Sequence, residues 1–119
     1  MRIIYVEDNT TNIALLERIC NMSKDELTTY LDADTALSSI NPGISDLIII
    51  DLHLGNYSSH DGLELTRLLR DKGVVEPIVA ITSYDHIYAS QYEEAGCNDY
   101  IKKPVSVNNF LNLIERYRT

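Results

Sequence analysis

The chain is expected to fold as an α/β domain, a doubly wound five-stranded parallel sheet with five helices on both faces. Three observations predict this. Apolar periodicity switches repeatedly between strand-like runs and helix-like spacing along all 119 residues. The runs Leu47-Ile48-Ile49-Ile50 and Ile78-Val79-Ala80-Ile81 are unbroken rather than alternating, as in strands covered on both faces. Each strand-like run of this kind then stops abruptly at a reactive group: Ile3-Ile4-Tyr5-Val6 at Glu7-Asp8, the second at Asp51, the third at Thr82-Ser83. Regular alternation of strand and helix gives a parallel sheet, and the carboxyl edge of such a sheet is where ligands bind.

The elements follow in order. Residues 2–6 read as the first strand. Asn9 or Thr10 can cap a helix whose apolar face is Ile13, Leu16, Ile19 and Cys20. Leu27 to Leu31 is the expected second strand. Asp32 or Asp34 opens a short helix through Ala36, Leu37 and Ile40, which Asn41-Pro42-Gly43 stops. Residues 46–51 form the third strand, and the polar stretch Gly55 to His60 a long loop. Asp61 caps a helix that buries Leu63, Leu65 or Thr66, Leu68 and Leu69, and Gly73 ends it. Pro77 opens the fourth strand, where a missing N–H is tolerated. Asp85 is expected to start a helix that ends at Gly96, and Asp99 to Lys102 is a short fifth strand. Ser106 caps a last helix with Val107, Phe110, Leu111, Leu113 and Ile114 inside.

Residues 1–119 are expected to form one domain, long enough to bury a core without staples. The formal charge of −8 argues against bare nucleic acid or an anionic membrane as partner. No apolar run has the length of a membrane span and the start lacks a signal-peptide pattern, so a cytoplasmic location is expected. Cys20 and Cys97 have neither metal nor redox spacing and read as free thiols in a reducing compartment. His53, His60 and His86 fit no closed zinc site.

The edge groups carry the chemistry. Glu7, Asp8 and Asp51 are expected within a few ångströms of one another. Like charges that close raise each other's pKa or bind a cation, and an all-oxygen set favours Mg²⁺ or Mn²⁺. Mg²⁺ takes few carboxylates, which leaves one acid free as a nucleophile. Lys103 supplies the opposite charge. Side chains alternate along a strand, so one of Lys102 and Lys103 faces the pocket. A cis bond to Pro104, the minority state, would turn the Lys103 ammonium inward. Carboxylate, metal, hydroxyl and ammonium together form a cradle for a phosphoryl group.

With these residues in this order, the sequence resembles a response-regulator receiver domain over nearly its full length, with the flavodoxin-like sheet of that family. The resemblance implies that Asp51 is the aspartate phosphorylated by a partner histidine kinase. It implies that Glu7 and Asp8 help hold Mg²⁺, and that the backbone carbonyl of His53 is a further metal ligand. Thr82 matches the hydroxyl that engages the phosphoryl group, Lys103 the lysine before proline, and Tyr100 the aromatic switch residue. The segment Glu7-Asp8-Asn9-Thr10-Thr11-Asn12 also resembles receivers of hybrid kinases and phosphorelays. Three departures stand out: Gly55 replaces a proline four positions after Asp51, Asp61-Gly62 comes late, and Ser83 replaces a smaller residue. The loop after Asp51 is therefore expected to be enlarged.

The implied partners are a sensor histidine kinase or histidine phosphotransfer protein and a downstream protein whose identity the sequence does not give. A phosphorylation-dependent homodimer is left open. The chain is expected to catalyse only its own phosphorylation and dephosphorylation. No output domain follows within the sequence and Met1 reads as a natural start, so a stand-alone receiver or phosphorelay shuttle is expected. His53 and Tyr84 occupy the positions that flank the attacking water in this family; both are bulky, so slow self-dephosphorylation is expected. Two rivals differ in specific residues. A haloacid-dehalogenase-type phosphatase needs a second aspartate where His53 stands, and a flavodoxin-type binder would have Glu7-Asp8 repelling its phosphate. A receiver-like docking module that works without phosphorylation is opposed by the complete set of site groups.

Overall fold

The computed structural model describes residues 1–53, 61–83 and 89–118. Among these, the elements run β1 (Arg2–Val6), α1 (Thr10–Ser23), β2 (Glu26–Tyr30), α2 (Ala33–Ser39), β3 (Leu47–Asp51), α3 (Gly62–Asp71), β4 (Ile78–Thr82), α4 (Ala89–Ala95), β5 (Asp99–Lys102) and α5 (Val107–Tyr117). The strands form one parallel sheet in the order β2-β1-β3-β4-β5. The expected fold class is therefore the observed one. The unbroken runs in β3 and β4 are buried along their whole length, because helices cover both faces.

Alternation along the strands divides the core. Ile48 and Ile50 join Ile4, Val6, Ile78 and Ala80 beneath α2, α3 and α4, where Ala36, Leu65, Leu69 and Tyr92 pack. Leu47 and Ile49 join Ile3, Tyr5, Val79 and Ile81 beneath α1 and α5, where Leu16, Ile19, Phe110 and Ile114 pack. Asn9, Asp32, Asp61 and Ser106 each accept a hydrogen bond from the amide three residues on and so cap α1, α2, α3 and α5. Gly73 ends α3 at φ 102°, a conformation that favours glycine.

Several details differ from expectation, among them the third strand, which begins at Leu47 rather than at residue 46. The second strand begins and ends one residue early, because the Glu26 amide bonds the Met1 carbonyl at 3.0 Å and the Glu7 amide closes the ladder on Tyr30. Leu31 is left 57% exposed beyond it. In the last helix Val107 is 42% exposed in the first turn, one turn ahead of Phe110, where the helix meets the core. Leu65 and Thr66 are both buried in α3, while Leu63 and Leu68 are half-buried. The Gly55 to His60 loop, Tyr84, Asp85 and His86 lie outside the described residues. No described helix is long and apolar enough to cross a membrane.

The amino edge of the sheet is tied by a buried acid. Asp25 accepts hydrogen bonds from Ser23, from the Met1 ammonium at 2.9 Å and from both terminal nitrogens of Arg118 at 3.0 and 2.9 Å. The Arg118 fork, foremost among these donors, holds the Asp25 carboxyl well below the usual carboxylate range. A depressed folded-state pKa stabilises the fold above the unfolded value and is lost as pH falls through the folded one. Arg118→Ala is thus expected to destabilise the fold at neutral pH, because it leaves the buried Asp25 carboxylate without its foremost donor. The difference from wild type should shrink as pH drops below about 4, the ordinary Asp value. Urea unfolding at neutral and acidic pH measures both; a pH-independent cost would contradict the role given to Asp25.

Candidate functional site

Register brings the reactive groups together. Val6 lies opposite Ile50, Asp51 opposite Ile81, and Thr82 opposite Lys102, so four parallel strands end at one level. The side chains of Glu7, Asp8 and Asp51 offer oxygens that all lie within 4.8 Å of one another. Glu7 and Asp51 are 1% and 2% exposed, whereas Asp8 faces solvent.

Asp51 is held at both oxygens. Its Oδ1 accepts the His53 amide at 2.9 Å and its Oδ2 accepts the Lys103 ammonium at 3.0 Å. Lys103 is thus the lysine that faces the pocket, and the Lys103–Pro104 bond is cis. Glu7 Oε1 accepts from the Asn12 side-chain amide at 2.7 Å, while Oε2 is buried without a hydrogen-bond partner. Burial first, then the neighbouring Asp51, pushes the Glu7 carboxyl well above the usual carboxylate range. Tyr5, buried beneath the acids, is pushed up by the same burial and then by the charges of Glu7 and Asp51.

This donor set fits a small hard cation. All three groups are carboxylates, one carries an orphaned buried oxygen, and their mutual repulsion falls when a cation binds. A cavity of about 410 Å³ lined by Tyr5, Asn12, Ile81, Lys103, Pro104 and Val105 extends beside the site.

Three participants escape sequence reasoning. Asn12 orients Glu7 one helical turn from the cap. Gly62 opens α3 so close to β3 that a Cβ there would stand 2.6 Å from the Asp51 carbonyl oxygen and from the Leu52 Cα. Tyr92 places its hydroxyl 3.1 Å from Thr82 Oγ1, both groups buried, and packs its ring against Tyr100 with centroids 5.2 Å apart. The only sequence signal for Tyr92 was its helical spacing ahead of Ala95 and Gly96.

Comparison with known proteins agrees with this geometry. The family model described as the response regulator receiver domain matches residues 3–115. The chain belongs to the response regulator receiver family. Among receiver-containing relatives, the polar-differentiation response regulator DivK of Brucella anthropi is 30% identical over 118 residues, covering 97% of this chain and 94% of that protein. The receiver domain of NtrX from Brucella abortus superposes with a TM-score of 0.83 at 29% identity, over 97% of this chain and 96% of that one. A two-component response regulator from Clostridium difficile shares the fold at a TM-score of 0.86 and 19% identity, over 98% and 94% of the two chains. A receiver is a signalling regulator rather than a conventional enzyme, and the haloacid-dehalogenase-type reading falls with the family assignment.

Proposed function

We propose that this receiver accepts a phosphoryl group on Asp51 from a phosphohistidine of a sensor histidine kinase or histidine phosphotransfer protein, with Mg²⁺ or Mn²⁺ as cofactor. The observation that carries this reading is the environment of Asp51: a buried carboxylate with two acids within 4.8 Å and the Lys103 ammonium at 3.0 Å.

The His53 amide and Lys103 hold the Asp51 carboxylate in place before the donor arrives. One Asp51 oxygen attacks phosphorus in line. The P–O bond forms as the P–N bond breaks, and the electron pair leaves with the donor imidazole. Lys103 then exchanges Asp51 for a phosphoryl oxygen, and the Thr82 hydroxyl donates to another. Glu7, Asp8, Asp51 and the His53 carbonyl are the groups that would hold the cation, which when bound neutralises charge on the transferring phosphoryl. Thr82 and Tyr100 act as switch residues, and the face of α4 and β5 meets a downstream protein. Moving such a two-state element from mostly off to mostly on takes on the order of 5 kcal/mol, within reach of a dianion gaining several charge-assisted contacts. The bulky residues two positions after Asp51 and two after Thr82, His53 and Tyr84, slow hydrolysis of the phosphorylated form. The protein acts in the cytoplasm by protein contact or as a phosphorelay shuttle.

Incubation with a small phosphodonor and Mg²⁺, read by intact mass, tests this. A single phosphoryl adduct is expected, and chelation of the metal should slow its formation by at least about 100-fold, a few kcal/mol of transition-state charge stabilisation. Uptake that ignores the metal would sink the role given to Glu7 and Asp8. A docking module independent of phosphorylation would take no adduct. Sizing chromatography before and after reports whether phosphorylation drives homodimer formation.

A further inference from the structure

Tyr92 has a place in the switch that neither Thr82 nor Tyr100 accounts for. Its hydroxyl is 3.1 Å from Thr82 Oγ1, and the residue is 2% exposed. Its ring lies against Tyr100 at 5.2 Å and 58° between planes. Tyr92 therefore touches both the group that must move toward the phosphoryl and the aromatic residue beside it, from the middle of α4.

We propose that Tyr92 is a positioning residue, a latch that holds the Thr82 hydroxyl away from Asp51 and couples its release to displacement of α4. The inference rests on the phosphoacceptor reading of Asp51. Thr82 cannot keep the Tyr92 bond and swing its Oγ1 onto a phosphoryl oxygen at the same time. When the bond breaks, the Tyr92 hydroxyl is left buried without its partner, which is costly. The ring relieves that cost by moving, and because Tyr92 is anchored in α4 and packed against Tyr100, its movement carries both. The same bond opposes phosphorylation beforehand, since it stabilises the arrangement in which the Thr82 hydroxyl is engaged by Tyr92.

Tyr92→Phe keeps the ring and removes the latch. It is expected to take phosphoryl from a small donor about two- to tenfold faster than wild type, the range set by one net hydrogen bond. It should bind beryllofluoride with Mg²⁺ tighter by a similar factor. In a Thr82→Ala background there is no hydroxyl to hold, so adding Tyr92→Phe should change neither quantity; this separates a latch from a structural ring. Amide shifts in α4 of free Tyr92→Phe should lie part-way toward the beryllofluoride-bound wild type. Equal or slower uptake by Tyr92→Phe, or the same gain in the Thr82→Ala background, overturns the latch while leaving Asp51 as acceptor. Wild-type protein that takes no adduct overturns the acceptor reading, and the latch with it.

Discussion

Asp51→Asn should take up no phosphoryl group from any donor while remaining folded. The amide oxygen of asparagine can still accept the His53 N–H that now bonds Asp51 Oδ1, so the turn after β3 keeps its geometry. What disappears is the anionic nucleophile and one of the three carboxyl groups crowded within 4.8 Å. Removing that charge relieves Glu7, whose carboxyl is raised partly by Asp51, and offsets the loss of the Lys103 ion pair. The net change in stability is expected to stay within about 1.5 kcal/mol, small for a buried pair. Intact mass after exposure to a phosphodonor with Mg²⁺, together with urea unfolding, measures both effects. An adduct that persists in Asp51→Asn would place the acceptor elsewhere.

Gly62→Ala should damage the same site from the other side of the loop. On propensity alone alanine would stabilise α3 by up to about 1 kcal/mol. The new methyl would meet the Asp51 carbonyl oxygen and the Leu52 Cα at 2.6 Å and the Leu52 Cδ2 at 2.9 Å. Two of those atoms are backbone, so relief requires α3 or the end of β3 to shift. Overpacking of this kind costs about 1–3 kcal/mol and outweighs the propensity gain. The shift also bears directly on Asp51, and displacement of a reacting group by an ångström costs about 100-fold in rate. Phosphoryl uptake is therefore expected to fall by one to two orders of magnitude in protein that is still folded. A Gly62→Ala variant with wild-type stability and uptake would show that α3 can back away freely.

Much of the fold was legible because its signals are local. Unbroken apolar runs in β3 and β4, capping residues at Asn9, Asp61 and Ser106, and Gly73 after α3 each act within a few residues of themselves. The weak case was β2, an edge strand paired on one side only, where the bonds from Glu26 to Met1 and from Glu7 to Tyr30 fixed the ends. Site chemistry was legible for the same reason: Glu7, Asp8, Asp51 and Thr82 sit at or just past strand ends, and parallel register carries them to one level. Lys103 against Lys102 was narrowed by alternation to one lysine, and the contact with Asp51 chose between them.

The sequence by itself therefore determined the order of elements and the groups available at the carboxyl edge of the sheet, since these follow from local periodicity and residue type, and the resemblance those residues carry pointed to the family. Only the tertiary structure decided which groups meet. Tyr92 reaches Thr82 from a different element, Asn12 takes one oxygen of Glu7 and leaves the other bare, and Arg118 crosses the chain to Asp25. Such pairings depend on how side chains from separate elements interlock at near-crystalline density, and no spacing within one segment encodes that.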